Sequence, residues 1–142
     1  MRTNRWDAVL AIAIVVAVGI ACNYSASTAN ISSLKVGKDA SVSAETDKFS
    51  SDDTIYANAV ISNASEKLKV TGRLLAENVE GVPKGLVPGA ENSVDMTGSG
   101  TAKFNFTAGQ RGWPKGTYTV EILMKNEAGE QKDQKTATIK VS

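Results

Sequence analysis

Apolar residues recur at every second position through most of this chain, and that period limits what it can fold into. Ile55, Ala57, Ala59 and Ile61 alternate with Tyr56, Asn58 and Val60. Leu68, Val70, Gly72, Leu74 and Ala76 alternate with Lys69, Thr71, Arg73 and Leu75. The same spacing joins Ala102, Phe104 and Phe106, then Tyr118, Val120, Ile122 and Met124, then Ala137, Ile139 and Val141. Successive side chains of a strand point to opposite faces, so each segment has one face to bury and one to leave in water. Leu34 and Val36 begin a further short strand, and Ser41 to Ala44 reads as another. Beyond residue 27, no window of about eleven residues carries the spacing of an amphipathic helix. Polar turns separate the segments at Ser62 to Glu66, Gly98 to Gly100 and Asn126 to Gly129, the last closing a hairpin. About seven short strands in a chain of this length predict an all-β, antiparallel sandwich of two sheets over residues 34–142.

Residues 1–27 follow a different rule. Arg2 and Arg5 precede Ala8 to Ala21, a run with no charge, and small polar residues follow it. A basic start, a short apolar run and small residues at its end make an export signal, assigned here to residues 1–21. As a helix the run would reach about 21 Å at 1.5 Å per residue. The hydrocarbon core of a bilayer is about 30 Å thick, so the run is short for a span. It ends at Cys22, the chain's one cysteine. The tetrapeptide Gly19-Ile20-Ala21-Cys22 resembles the lipobox of bacterial lipoproteins, although Leu is usual where Gly19 stands. The resemblance implies a diacylglycerol on the Cys22 thiol, cleavage after Ala21 and a further acyl chain such as palmitate on the new amino terminus. Two or more chains hold a protein stably on a membrane. In enteric lipoproteins a residue other than Asp after the cysteine directs the protein outward. Asn23 by that likeness points to the outer membrane or cell surface. The alternatives are an uncleaved anchor helix with a free Cys22 thiol, or plain cleavage. Residues 22–33, rich in Ser and Thr, read as the lipidated cysteine and a flexible tether.

Composition narrows the function classes. There is no histidine, which removes Ser-His-Asp and Cys-His chemistry and His-ligated zinc. Apart from Arg2, Arg5 and Asp7 the basic and acidic residues are equal in number, and no basic excess speaks for nucleic acid. With no second cysteine there is no intramolecular disulfide. An enzyme would be left with a carboxylate pair or a Ser-Lys dyad. The only Ser-x-x-Lys near the domain, Ser32 to Lys35, falls at a strand edge, whereas that motif works from a helix. We read the chain as no enzyme, with no cofactor and no metal.

The stretch Gly112-Trp113-Pro114-Lys115-Gly116-Thr117-Tyr118-Thr119-Val120-Glu121 resembles a signature near the end of immunoglobulin-like domains in bacterial lipoproteins and envelope proteins. Asp53 to Ala57 resembles the second strand of the same domains. The likeness covers roughly residues 42–141 and implies an immunoglobulin-like fold while saying almost nothing of activity. Pro114 and Gly116 turn the chain, Trp113 offers a large apolar face to close one end, and Tyr118 sits where a tyrosine corner would.

Several groups are candidates for binding. Trp113 is either a ligand platform for a sugar or peptide, or a plug at the sandwich end. The longest irregular stretch, residues 78–100, carries Val82, Pro83, Leu86, Val87 and Pro88, which could dock a partner. Asp52 and Asp53 with Glu91 or Asp95 could hold Ca²⁺, but no D-x-D-x-D-G loop is present and solvated turn carboxylates are the plainer reading. Tyr56, Val60, Leu75 and Leu123 fall on nominally outer faces and would form an apolar patch if adjacent. The expected function is a membrane-anchored, non-catalytic surface lipoprotein serving as a binding or accessory subunit of an envelope assembly. The alternative is a carbohydrate- or peptide-binding module centred on Trp113 or residues 78–100.

Overall fold

The computed structural model describes residues 28–142, so the expected export signal, the helix expected for it and Cys22 lie outside the described residues. Eight strands follow one another: β1 (Asn30–Gly37), β2 (Lys48–Phe49), β3 (Ile55–Ser62), β4 (Leu68–Val79), β5 (Gly85–Met96), β6 (Gly100–Phe106), β7 (Gly116–Asn126) and β8 (Gln131–Val141). They form a three-stranded sheet of order β1-β3-β6 and a five-stranded sheet of order β2-β8-β7-β4-β5. This connectivity, in which β1 pairs in one sheet, the short β2 crosses to the other, and β5 extends the β8-β7-β4 sheet, is immunoglobulin-like. The pairing is antiparallel with one exception: β2 runs parallel to β8.

The alternating segments are the strands that meet face to face. Ile55, Ala57, Ala59 and Ile61 of β3 and Ala102, Phe104 and Phe106 of β6 are buried against Leu68, Val70 and Leu74 of β4 and the inward row of β7. At the centre, Phe104 lies over Gly72. A Cβ on Gly72 would come within 2.6 Å of the Phe104 ring. The missing side chain is what lets the two sheets approach there.

Three expectations are corrected. The tether expected over residues 22–33 ends by Asn30, because β1 starts there and Ile31 is buried in the core. An amide–carboxylate bond from Ile31 N–H to Asp133 Oδ2 (2.8 Å) and one from Lys135 Nζ to the Ile31 carbonyl (3.3 Å) tie that strand end to β8. The strand expected at Ser41 to Ala44 is a turn. Asp39 accepts hydrogen bonds from Ser41 Oγ (2.6 Å) and from the backbone N–H and Oγ of Ser43 (3.2 and 3.1 Å), and Val42 has φ 47°. Residues 78–100, expected to be largely irregular, hold the twelve-residue strand β5. Its pattern is hidden because it is an edge strand with a bulge. Arg73 faces Glu91 while Leu75 faces Leu86, so Val87 to Ala90 loop out opposite Leu74.

Replacing Gly72 with Ala should destabilise the domain by about 1–3 kcal/mol, since the new methyl must displace a core ring. Urea unfolding followed by tryptophan fluorescence would measure it, and a loss near zero would mean that the sheets can spread at no cost.

Candidate functional site

β5 and β6 each form one edge of their sheet and lie on the same side of the sandwich. Only Thr97, Gly98 and Ser99 connect them, so at that end the sheets are held together. At the other end they leave a cleft of about 480 Å³. Val82, Val87 and Ala90 supply one wall, Phe106 the other, and Trp113 and Tyr118 the floor. The bulge of β5 carries Val87 to Ala90 into this wall. Asn92, Asn105 and Thr107 border the cleft, and no charged side chain lines it. The opposite side of the sandwich carries the β1–β8 bonds described above.

The floor is built by the corner before β7. Trp113 is 7 % exposed. Its backbone N–H donates to the Ser51 carbonyl (2.7 Å) and its Nε1–H to the Asp53 carbonyl (2.8 Å). Its ring meets Tyr118 edge to face, with centroids 6.2 Å apart. Tyr118 Oη–H donates to the Pro114 carbonyl at 2.6 Å, the geometry of a tyrosine corner. Burial raises the phenol pKa above its usual value, which keeps the hydroxyl a donor. Gly116 has φ 149°, and a Cβ there would lie 2.3 Å from the Asn78 carbonyl oxygen. Glycine is therefore required for the corner to sit against the end of β4.

Asp53 anchors the loop that receives Trp113. Its carboxylate accepts from Ser50 N–H (2.7 Å) and pairs with Lys38 Nζ (3.1 Å). The Ser50 bond first, and then Lys38, hold its pKa below the ordinary value.

The proposed docking residues separate. Val82, Val87 and Trp113 meet at the cleft. Trp113 closes the end of the core and offers no open stacking face. Leu86 is 45 % exposed on the outer side of β5, opposite Leu75, and does not line the cleft. Tyr56 and Val60 lie on the outer face of the three-stranded sheet, whereas Leu75 and Leu123 lie on the outer face of the other. The four therefore make no common patch. Asp53 sits in the Ser50 turn while Glu91 and Asp95 lie on β5 opposite Arg73 and Lys69, and no group of three possible metal ligands occurs among the described residues. Ser32 Oγ donates to the Val60 carbonyl (3.2 Å) and accepts from Ser62 Oγ (3.0 Å), on a strand and not on a helix.

Ala90, Asn92, Asn105 and Phe106 were not distinguishable as cleft residues by local pattern, because the cleft forms between strands that only the topology brings together. Glu121 stands on the outer face of β7, between Thr119 and Leu123. It is buried, receives two bonds from Arg73 (3.2 and 3.1 Å) and one from Gln134 Nε2 (3.0 Å), and in turn raises the Arg73 pKa. Its lone pairs are spent within the sheet, which makes it a structural group.

No family model and no curated protein matches the chain. Among solved structures, a Niemann-Pick type C2 protein from Japanese carpenter ant superposes with a TM-score of 0.49 at 11% identity, covering 83% of this chain and 96% of that one. A β-glucosidase from Listeria innocua superposes with a TM-score of 0.46 at 12% identity, over 78% of this chain and 16% of its own. Likenesses this remote carry no argument about what the chain binds.

Tyr118→Phe should cost about 1–2 kcal/mol by leaving the Pro114 carbonyl without its donor, read by chemical denaturation. Asp53→Ala should cost about 1 kcal/mol at neutral pH. Because folding depresses this pKa, the stabilisation is fully present above the unfolded value of 3.8 and is lost as pH falls through the folded value. Wild type and variant should therefore converge in stability below about pH 4, where a gap that persists unchanged would refute the assignment.

Proposed function

We propose that this chain is a non-catalytic binding module, held on a bacterial envelope membrane by acylated Cys22 and serving as an accessory subunit of an envelope assembly. The observation that supports binding is the uncharged cleft between the β5 and β6 edges, a concave site of mixed apolar and neutral polar lining. Non-catalytic action follows from the chemistry at hand. The sequence has no histidine, and the buried carboxylate, Glu121, is consumed by Arg73 and Gln134.

The start of β1 limits how such an anchor would present the domain. Asn30 lies eight positions after Cys22, and eight extended residues reach at most about 29 Å. The tether is thus short enough to keep the Asn30 end of the sandwich, with the turns at residues 63–67 and 127–130, near the bilayer. The cleft opens at the other end, where Phe106, Gly112 and Trp113 lie. An anchor at one end and a binding site at the other suit an adaptor that meets its partner away from the membrane.

Intact mass of the protein extracted from its native membrane should match Cys22–Ser142 plus acyl chains, and Cys22→Ser should move the protein to the soluble fraction with its strand circular dichroism unchanged. A mass of unmodified Met1–Ser142 would overturn the acyl anchor in favour of an uncleaved anchor segment.

A further inference from the structure

We infer that the occupant of the cleft is an extended segment of a partner polypeptide, added as a fourth strand along the free edge of β6 with alternate apolar side chains inserted between the sheets. This rests on the reading of the chain as a binding module and states how the binding is done.

The first ground is the edge itself. β6 pairs with β3 in unbroken register from Ile61↔Gly100 to Ile55↔Phe106, with no bulge and no proline. In an antiparallel strand, alternate residues direct their N–H and C=O groups to opposite edges. Half of the backbone groups of β6 therefore face away from β3, and no strand pairs with them there among the described residues. Such an edge is a template for another strand unless something blocks it. Lys103, its one charge, stands on the outer face opposite Asn58.

The second ground is the contrast with β5 across the gap. Pro88 has no N–H to donate, and the Val87 to Ala90 bulge breaks the run of the strand. One lip is therefore suited to strand addition and the other is not. What β5 offers instead is the apolar wall of Val87 and Ala90, toward which the inward side chains of a strand on β6 would project.

The third ground is chemical. The β6 edge runs into the cleft at Asn105 and Phe106. Asn92 stands opposite Gly72 of the inward row, and its amide takes no part in a hydrogen bond within the described residues. Amides and hydroxyls are the partners that peptide groups use, and the absence of lining charge disfavours an ionic ligand. A compact apolar molecule would fill the volume but leave the β6 edge unpaired. An added strand satisfies both, as in other sheet-augmentation complexes.

The test pans a display library of linear peptides of about ten residues, strand length, against the full chain in detergent micelles. The neutral fluorophore N-phenyl-1-naphthylamine is titrated in parallel. Enriched peptides should alternate apolar and polar residues, and the best of them should slow amide hydrogen exchange over residues 100–106. Val87→Asp should weaken that peptide about ten-fold or more by placing an unpaired charge in the cleft, while the outward-facing Leu86→Asp leaves it unchanged. Thr107→Trp, which fills the mouth from an exposed position, should weaken it likewise and covers the case in which Val87→Asp does not fold. Peptides that leave residues 100–106 unprotected, or bind equally after cleft substitution, would overturn strand addition. Fluorophore binding abolished by Val87→Asp, with no peptide enriched, would overturn it while leaving a binding module. Binding of neither probe would overturn both readings.

Discussion

The domain depends on two sheets being pressed together without a covalent pin. Antibody-type sandwiches place a disulfide between the sheets and a tryptophan against it. Here the chain has no cysteine within the described residues, and β4 carries Gly72 at the centre of its inward row. Phe104 from the other sheet occupies the room that a Gly72 side chain would need. Burial and shape thus do what a cross-link does elsewhere. The small inward residues of β3, Ala57 and Ala59, fit the same close approach, since larger side chains beside Phe104 would force the sheets apart.

Tight closure at the centre makes the ends matter. At one end the three-residue β5–β6 link and the β7–β8 hairpin finish the sandwich with little material. At the other, the longer corner from Thr107 to Lys115 has to be pinned, and Trp113 and Tyr118 pin it to the Ser50–Asp53 turn and to the Pro114 carbonyl. Because these aromatics fill the floor, the cleft above them is bounded instead of running through the core. The same rings that stabilise the corner therefore shape the site. Trp113 therefore bounds the cleft as part of its floor and offers no stacking platform.

Much of the fold was legible because β3, β4, β6 and β7 each bury one face completely, which imposes the two-residue period on sequence. Legibility fails where that condition fails. β5 is an edge strand whose bulge shifts its alternation midway. β2 has two residues and is held by pairing with Lys140 and Val141. The first half of β8, Gln131 to Lys135, is largely exposed and shows no apolar spacing. Of the cleft residues, Val82, Val87 and Trp113 stood out as apolar groups in turn-rich sequence, but Leu86 stood out equally and faces the other way.

Local pattern determined that this chain is all-β, where most strands run, which faces they bury, that Gly116 and Tyr118 turn a corner, and that histidine-based catalysis is closed to it. Those are properties of residues near one another along the backbone. Which strands share a sheet, and so which edges remain free, was decided only by tertiary structure. Strand pairing joins residues far apart in the chain, and the energy that selects one pairing is the burial of both sheets at once. For that reason Tyr56 and Leu75, alike in sequence as outer apolar residues, end on opposite surfaces, while Val87 and Phe106, nineteen positions apart, face each other across the cleft.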